Sequence, residues 1–378
     1  VRFSPWMQVA AGTETISHGS LLPGTIIARV PKCEKLVLNF VLSYLEAREL
    51  PAQLLVNGGY VRDLLLGKTP DDLDLSLCLR ECRPEVTIDS VLHGMHAFAT
   101  QRPELDVSSV NVTTILSDTS KDKNVDTAKA YLLIRSSGER VEVDFMPTIG
   151  EEQYDDNDRI PLRDVRGTPE QDALRRDLTI GAMLLRISRA ANSKAANGGA
   201  NAGVAGDSVG GKNGGVGGAV GGGGVSGAGD ALAAADALTW QLLDYYDGLQ
   251  DIRAGVLRSP YPSSRPLSEV WPEVLRTPAD ERAASLLGLS RQLPTTISGP
   301  KQLSKPAGEI AGEIAGEMAG EMAVQVGGTQ AAQEAKAQAQ AAAHEQMVLQ
   351  VVWWIKVLRD DPLRMLRALR FAAKLGFR

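Results

Sequence analysis

The stretch Leu54-Leu55-Val56-Asn57-Gly58-Gly59-Tyr60-Val61-Arg62-Asp63, followed by Asp71-Asp72-Leu73-Asp74-Leu75-Ser76-Leu77, constrains this chain more than any other. Leu54 to Val56 reads as a buried strand. The glycine pair after it reads as a tight turn whose backbone N–H groups are free to meet an anion. A short helix follows, with Arg62 expected in its opening turn, so a helix N-terminus and a guanidinium both favour a phosphate there. The next segment has period two. Leu73, Leu75 and Leu77 share one face of a strand, and Asp72, Asp74 and Ser76 share the other. Carboxylates so close together are costly unless neutralised, and hard oxygen ligands beside a phosphate cradle are what Mg²⁺ takes.

The flanking segments supply a frame. Leu36, Val37, Phe40, Val41, Tyr44 and Leu45 recur at helical spacing and predict an amphipathic helix from Pro31 to about Glu49, after a poorly structured lead-in over 1–30. Val86 to Ala99 reads as another helix. Three strands are expected, Val107 to Leu116, Ala130 to Arg135 and Val141 to Met146, the last two joined by the hairpin-like Ser136-Ser137-Gly138-Glu139. In the third strand Glu142 and Asp144 share the face opposite Val141, Val143 and Phe145, so either is a candidate third carboxylate.

Gly167-Thr168-Pro169-Glu170-Gln171-Asp172 opens a helix, with Thr168 as N-cap, Pro169 at the first helical position and Gln171 completing a capping box. Arg175, Arg176 and Asp177 continue it, and Asp172 lies one turn from Arg176, close enough to pair. Near the end of the chain, Asp360-Asp361-Pro362-Leu363-Arg364 leads into a helix. Met365, Leu366, Leu369, Ala372 and Ala373 fall on one side of it, and Arg364, Arg367 and Arg370 on another. Three guanidiniums beside a carboxylate pair fit recognition of a polar ligand edge.

Taken in order, these blocks resemble the class II CCA-adding tRNA nucleotidyltransferases of eukaryotic type and the related poly(A) polymerases, members of the polymerase-β-like nucleotidyltransferase superfamily. The Gly-Gly and Asp-x-Asp block resembles the family's first signature. Glu142-Val143-Asp144-Phe145, Arg159-Ile160-Pro161 and Arg175-Arg176-Asp177 resemble the second. Asp244, Gly248 and Asp251 resemble a connector between catalytic head and neck, and Asp361 with Arg364 resembles the fourth signature. The resemblance implies an α+β head, a mixed sheet with helices on one face, followed by the start of an all-α neck. It implies two Mg²⁺ ions on Asp72 and Asp74, a nucleotide held by Gly58, Gly59, Arg62, Asp63, Arg175, Arg176 and Asp177, and base selection by Asp361, Arg364, Arg367 and Arg370. The implied reaction is template-independent addition of CCA to a tRNA 3′ end from CTP and ATP.

Gly181 stands where the family usually carries Asn, inside what reads as a helix. Met146-Pro147-Thr148-Ile149 lacks an arginine usual after the acidic strand, and Asp360 replaces a glutamate. A poly(A) polymerase of the same fold and a catalytically silent RNA-binding or scaffold protein are the alternatives. The family continues into neck, body and tail where this chain reaches Arg378, so the resemblance implies a C-terminally truncated member.

Composition divides the chain. Of its 38 glycines, many lie in a Gly-rich insert over 190–230 that cannot bury enough surface to fold, and a second low-complexity insert covers 263–350. The head then covers 31–189, a connector 231–262 and the first neck helix 351–378. A net charge of −6 excludes a globally basic nucleic-acid binder, so any RNA surface is local. Cys33, Cys78 and Cys82 form no disulfide framework, which suggests an intracellular reducing compartment. Cys78 and Cys82 with His93 and His96 are spaced too tightly for a zinc finger. No apolar run approaches the ~18 residues of a membrane span.

Overall fold

The computed structural model describes residues 10, 13, 15–115, 127–150, 152–153, 162–163, 166–190, 227–274, 282 and 330–377. Two units emerge, Val1–Val256 and Leu257–Arg378.

The first unit is built on a seven-stranded sheet. Its elements in chain order are the helical turn α1 (Gly24–Ile27), α2 (Lys32–Ala47), β1 (Gln53–Val56), α3 (Gly58–Leu65), β2 (Leu73–Cys78), α4 (Ile88–Leu92), α5 (Met95–Gln101), β3 (Val107–Ile115), β4 (Thr127–Ile134) and β5 (Arg140–Pro147). There follow a two-strand pair β6 (Glu152–Gln153) and β7 (Leu162–Arg163), α6 (Pro169–Leu174), β8 (Leu184–Arg189), α7 (Gly227–Asp236), β9 (Leu238–Leu243) and α8 (Gly248–Ala254). The strand order is β3-β4-β5-β2-β1-β8-β9. Every neighbouring pair is antiparallel except β2 and β5, which run parallel.

The alternation read in the sequence positions these strands. Val141, Val143 and Phe145 are buried while Glu142 is exposed and Asp144 half-buried, as period two requires of a sheet with one covered face. Helix α2 supplies much of the cover. Its residues from Lys35 to Leu45 are buried, and Phe40 and Tyr44 meet Phe98 of α5 at ring-centroid distances of 5.6 and 5.2 Å. Burying a side chain of that size is worth roughly 1.5–3 kcal/mol.

Several boundaries differ from the sequence reading. The described part of the lead-in is tied down. Leu21 bridges Gln241 of β9, Leu22 N donates to Trp240 O (2.8 Å), and Arg253 of α8 donates to the carbonyls of Thr13 and Ile16. The region read as one helix over 86–99 is two, because Thr87 forms a capping box with Ser90 and the first helix stops at Leu92. The head does not end at 189. β8 and β9 pair across the Gly-rich stretch, so the connector contributes an edge strand of the sheet, and α7 begins at Gly227, inside the stretch read as an insert. Residues 191–226 of that stretch lie outside the described residues.

The second unit is helical: α9 (Leu267–Val274), α10 (Gln330–Asp360) and α11 (Leu363–Leu375). The alanine- and glutamine-rich segment placed in a low-complexity insert is the first half of the 31-residue α10, so no boundary falls at 350. Leu267, Val270 and Val274 are buried with Val348, Leu349, Val352 and Val357, and Arg359 donates to Val274 O (2.8 Å). The tetrapeptide repeat at 307–322 lies outside the described residues.

Candidate active site

The site is assembled where β1, β2 and β5 meet. Asn57 ends β1 and donates its backbone N–H to Asp74 O (2.9 Å), so the start of α3 is tied to the middle of the carboxylate segment. Asn57 caps α3 from an extended conformation without a side-chain hydrogen bond. The amides of the first turn therefore have no acceptor from that side chain and none within the helix.

Gly58 and Gly59 are the first residues of this helix and not a turn, and neither has a positive φ. Gly58 is required by close approach: a Cβ there would lie 1.8 Å from Gly181 O. Gly59 faces open space. Arg62 is not in the opening turn, since a helix starting at Gly58 puts it fifth. It is buried, and its Nε and Nη2 donate to Asp63 Oδ1 (2.9 Å) and Oδ2 (2.8 Å).

Leu73, Leu75 and Leu77 are buried under the helices, leaving Asp74 half-buried on the opposite face and Asp72 exposed just ahead of β2. The parallel register sets Asp74 directly beside Asp144 and Leu73 beside Val143. Burial raises the Asp74 pKa. The charges of Asp144 and then Asp72 raise it further, while Arg176 and Lys129 oppose them. Three carboxylates and two cations thus share one electrostatic field, drawn from segments read separately in the sequence. Glu142, the other candidate third carboxylate, is exposed and bonded to Lys129.

The Arg-Arg-Asp segment is held by Asp172, which the sequence reading treated only as a surface pairing partner. The capping box of Thr168 and Gln171 starts α6, and the helix stops at Leu174, so Arg175 is its C-cap and Arg176 and Asp177 lie beyond it. Asp172 is fully buried. It accepts from Ile149 N (3.0 Å), Arg175 Nε and Nη2 (2.9 and 2.7 Å) and Arg176 Nη2 (2.7 Å). Burial alone would raise its pKa, but the two guanidiniums and these hydrogen bonds outweigh it and hold the carboxyl below the usual range.

Next comes a 3₁₀ turn, Thr179–Gly181. Gly181 ends this turn instead of sitting inside a helix, so it carries no helix-interior penalty. The turn is clasped from two sides. Gly58 meets it at Gly181 O, and a Cβ on Gly248 of α8 would lie 2.4 Å from Thr179 O. Thr179 Oγ1 donates to the buried Asp251 Oδ2 (2.5 Å). The connector residues Gly248 and Asp251 thereby hold the segment that follows Arg-Arg-Asp against the N-terminus of α3, and Asp244 caps α8 through Gly248 N (2.8 Å) and Leu249 N (2.9 Å).

In the second unit, Asp361 accepts from Arg367 (2.6 Å), and Arg364 stands 3.8 Å away. Burial would raise Asp361, but its bond to Arg367 and both arginine charges bring it below the usual range. Asp360 turns back to Lys356 and Arg359, each at 3.0 Å. Arg370 lies over Phe371. Leu363, Met365, Leu366 and Leu369 are each more than half exposed, so the apolar side of α11 is its open side and the Arg364 and Arg367 side its closed one.

Whether the residues fit a divalent cation is a question of donors. Asp74 and Asp144 are adjacent hard-oxygen ligands whose mutual repulsion a cation would relieve. Ser76 Oγ and the Asn57 amide are buried nearby in sequence or register without a hydrogen-bond partner. Among the described residues, no group of three His, Cys, Asp or Glu stands in metal-binding geometry, so the fit rests on the adjacency of Asp74 and Asp144. Cys33, Cys78 and Cys82 are free thiols.

The mixed sheet, with its paired aspartates beside a glycine-opened helix, lies largely within the part of the chain that known proteins match. Residues 54–202 match the family described as Poly A polymerase head domain. Over that stretch the chain is similar to a family of head domains and, in the same region, to curated CCA tRNA nucleotidyltransferases. It is 31% identical over 174 residues to the mitochondrial CCA tRNA nucleotidyltransferase of Candida glabrata, covering 44% of this chain and 30% of that protein. With the Saccharomyces cerevisiae mitochondrial enzyme of the same name it shares 28% over 188 residues, 48% of this chain and 32% of the other. The chain thus spans about a third of the length of the curated relatives it matches. A solved CCA-adding enzyme in an apo form aligns with a TM-score of 0.38 at 16% identity, over 72% of this chain and 49% of the other. Among the described residues, no helix is long and apolar enough to cross a membrane.

Proposed function

We propose that this chain adds nucleotides without a template to the 3′ end of a tRNA, building CCA from CTP and ATP. The observation that carries the reading is the parallel register that sets Asp74 beside Asp144, one hydrogen bond from the opening of α3. The names of the fungal relatives support the substrate.

On this reading the RNA 3′-hydroxyl attacks the α-phosphorus, forming a phosphodiester as the bond to pyrophosphate breaks. The first turn of α3, with Gly58 and Gly59, receives the triphosphate on its free amides, with Arg62, paired to Asp63, adding positive charge one turn further on. Asp72 and Asp74 are the principal metal ligands, with Asp144 as the third carboxylate in preference to Glu142. With Mg²⁺ bound, the site gains a Lewis acid for the attacking hydroxyl and charge neutralisation for the leaving group. Arg175, Arg176 and Asp177 hold ribose and phosphate, positioned by Asp172. Asp361, Arg364, Arg367 and Arg370 select the base, the carboxylate accepting and the guanidiniums donating along its Watson–Crick edge. Three free cysteines fit a reducing intracellular compartment.

The test is incubation of the 378-residue chain with a tRNA lacking its terminal triplet, Mg²⁺ and labelled CTP or ATP. Incorporation of two C then one A, abolished in the D72A/D74A double variant, is the expected result. A long A tract from ATP alone assigns poly(A) addition instead. Equal incorporation by wild type and double variant overturns both.

A further inference from the structure

Lys129 sits in the middle of the carboxylate field without belonging to any motif. Its place is set by the sheet: the antiparallel register of β4 and β5 puts it directly across from Asp144, which is itself beside Asp74 on the parallel side. One face of three adjacent strands therefore reads Asp74, Asp144, Lys129 in a row. The ammonium bonds Glu142 and lies 3.4 Å from Asp144 Oδ1. It is a flexible, partly exposed side chain with two acceptors to choose between.

We infer that Lys129 is a tethered cation that shares Asp144 with the divalent ion, so that the ion binds by displacing the ammonium from Asp144 and leaving it on Glu142 alone. This rests on the proposed reading of Asp74 and Asp144 as metal ligands and adds a regulator of that site. The physical reason is competition. An ammonium on Asp144 neutralises part of the charge an incoming cation would use, and two positive charges on one carboxylate repel. Glu142 supplies the alternative seat, which a lone lysine on a metal ligand would lack. Bridging Asp144 and Glu142 also lowers repulsion along β5 while the site has no ion. Lys129 is thus a positioning residue that trades metal affinity for order in the metal-free site.

The experiment measures Mn²⁺ binding to the full chain, without nucleotide or RNA, by the loss of the free-ion electron paramagnetic resonance signal. Lys129→Met keeps the stem and removes the charge, and it is expected to bind Mn²⁺ about tenfold more tightly, roughly 1.4 kcal/mol. Lys129→Arg retains a cation and should stay within about twofold of wild type, a rescue that a packing role would not give. Glu142→Gln removes the alternative seat and should weaken binding. Unchanged affinity in Lys129→Met, with Asp74→Asn still weakening it, overturns the role of Lys129 and leaves the site intact. If Asp74→Asn does not weaken Mn²⁺ binding, it is the metal-site reading that fails.

Discussion

Replacing Asp74 by Asn should stabilise the metal-free protein, because a residue placed for chemistry is placed badly for folding. Adjacent strands lie about 4.8 Å apart, so the Asp74 and Asp144 carboxylates face each other at roughly 5 Å. At an effective dielectric constant of about 20, one such like-charge pair costs about 3 kcal/mol. Arg176 and Lys129 offset most of this and the site is partly open to water, leaving about 1 kcal/mol. For a unit of this size that corresponds to a rise in Tm of about 2–4 °C.

The pH dependence follows from the raised Asp74 pKa. The folded protein keeps the proton to higher pH than the unfolded chain does. The associated stability is full below the unfolded value near 3.9 and is lost as pH rises through the folded value. The advantage of D74N should therefore be largest at neutral pH and vanish toward pH 4. Thermal unfolding in chelator across that range measures it. Millimolar Mg²⁺ should reverse the order, since only the wild type gains from binding. A variant no more stable than wild type at pH 7 in chelator would refute the idea that like charge is stored at this position.

Three further outcomes follow. Gly58→Ala should destabilise the head by about 1–3 kcal/mol through collision with Gly181 O, whereas Gly181→Asn, whose Cβ meets nothing within 4 Å, should be near neutral; urea unfolding separates the two. Asp172→Ala removes the acceptor of both arginines and should cost about 3–5 kcal/mol in the same assay, with loss of nucleotide binding by calorimetry. Thr179→Val deletes the bond to Asp251 while keeping shape and should cost about 1–3 kcal/mol, recovered in Thr179→Ser.

Local patterns were legible where one element's own residues decided the outcome. The period-two runs at 73–77 and 141–145, the capping box at Thr168 and the amphipathic face of α2 each declare themselves within a few residues. What stayed hidden depended on partners far along the chain. β8 and β9 are as long as β2, but no motif marks either, and they pair with each other across the Gly-rich stretch that separates them in the chain. Gly58 looked like a turn former, although it and Gly248 are needed because backbone carbonyls of one 3₁₀ turn approach them closely. Asp172 read only as a partner for Arg176, because nothing local foretells Ile149 closing over it. Lys129 belongs to no motif, and register alone gives it a role.

The single parallel pairing in the sheet has a kinetic meaning. β2 and β5 cannot be joined by a hairpin, and the residues they align, Asp74 and Asp144, are separated by the whole of α4, α5, β3 and β4. Closing so long a loop is slow compared with forming the hairpins on either side. During refolding, secondary structure should thus recover before the capacity to bind Mn²⁺, and ion uptake becomes a clock for the last long-range docking step.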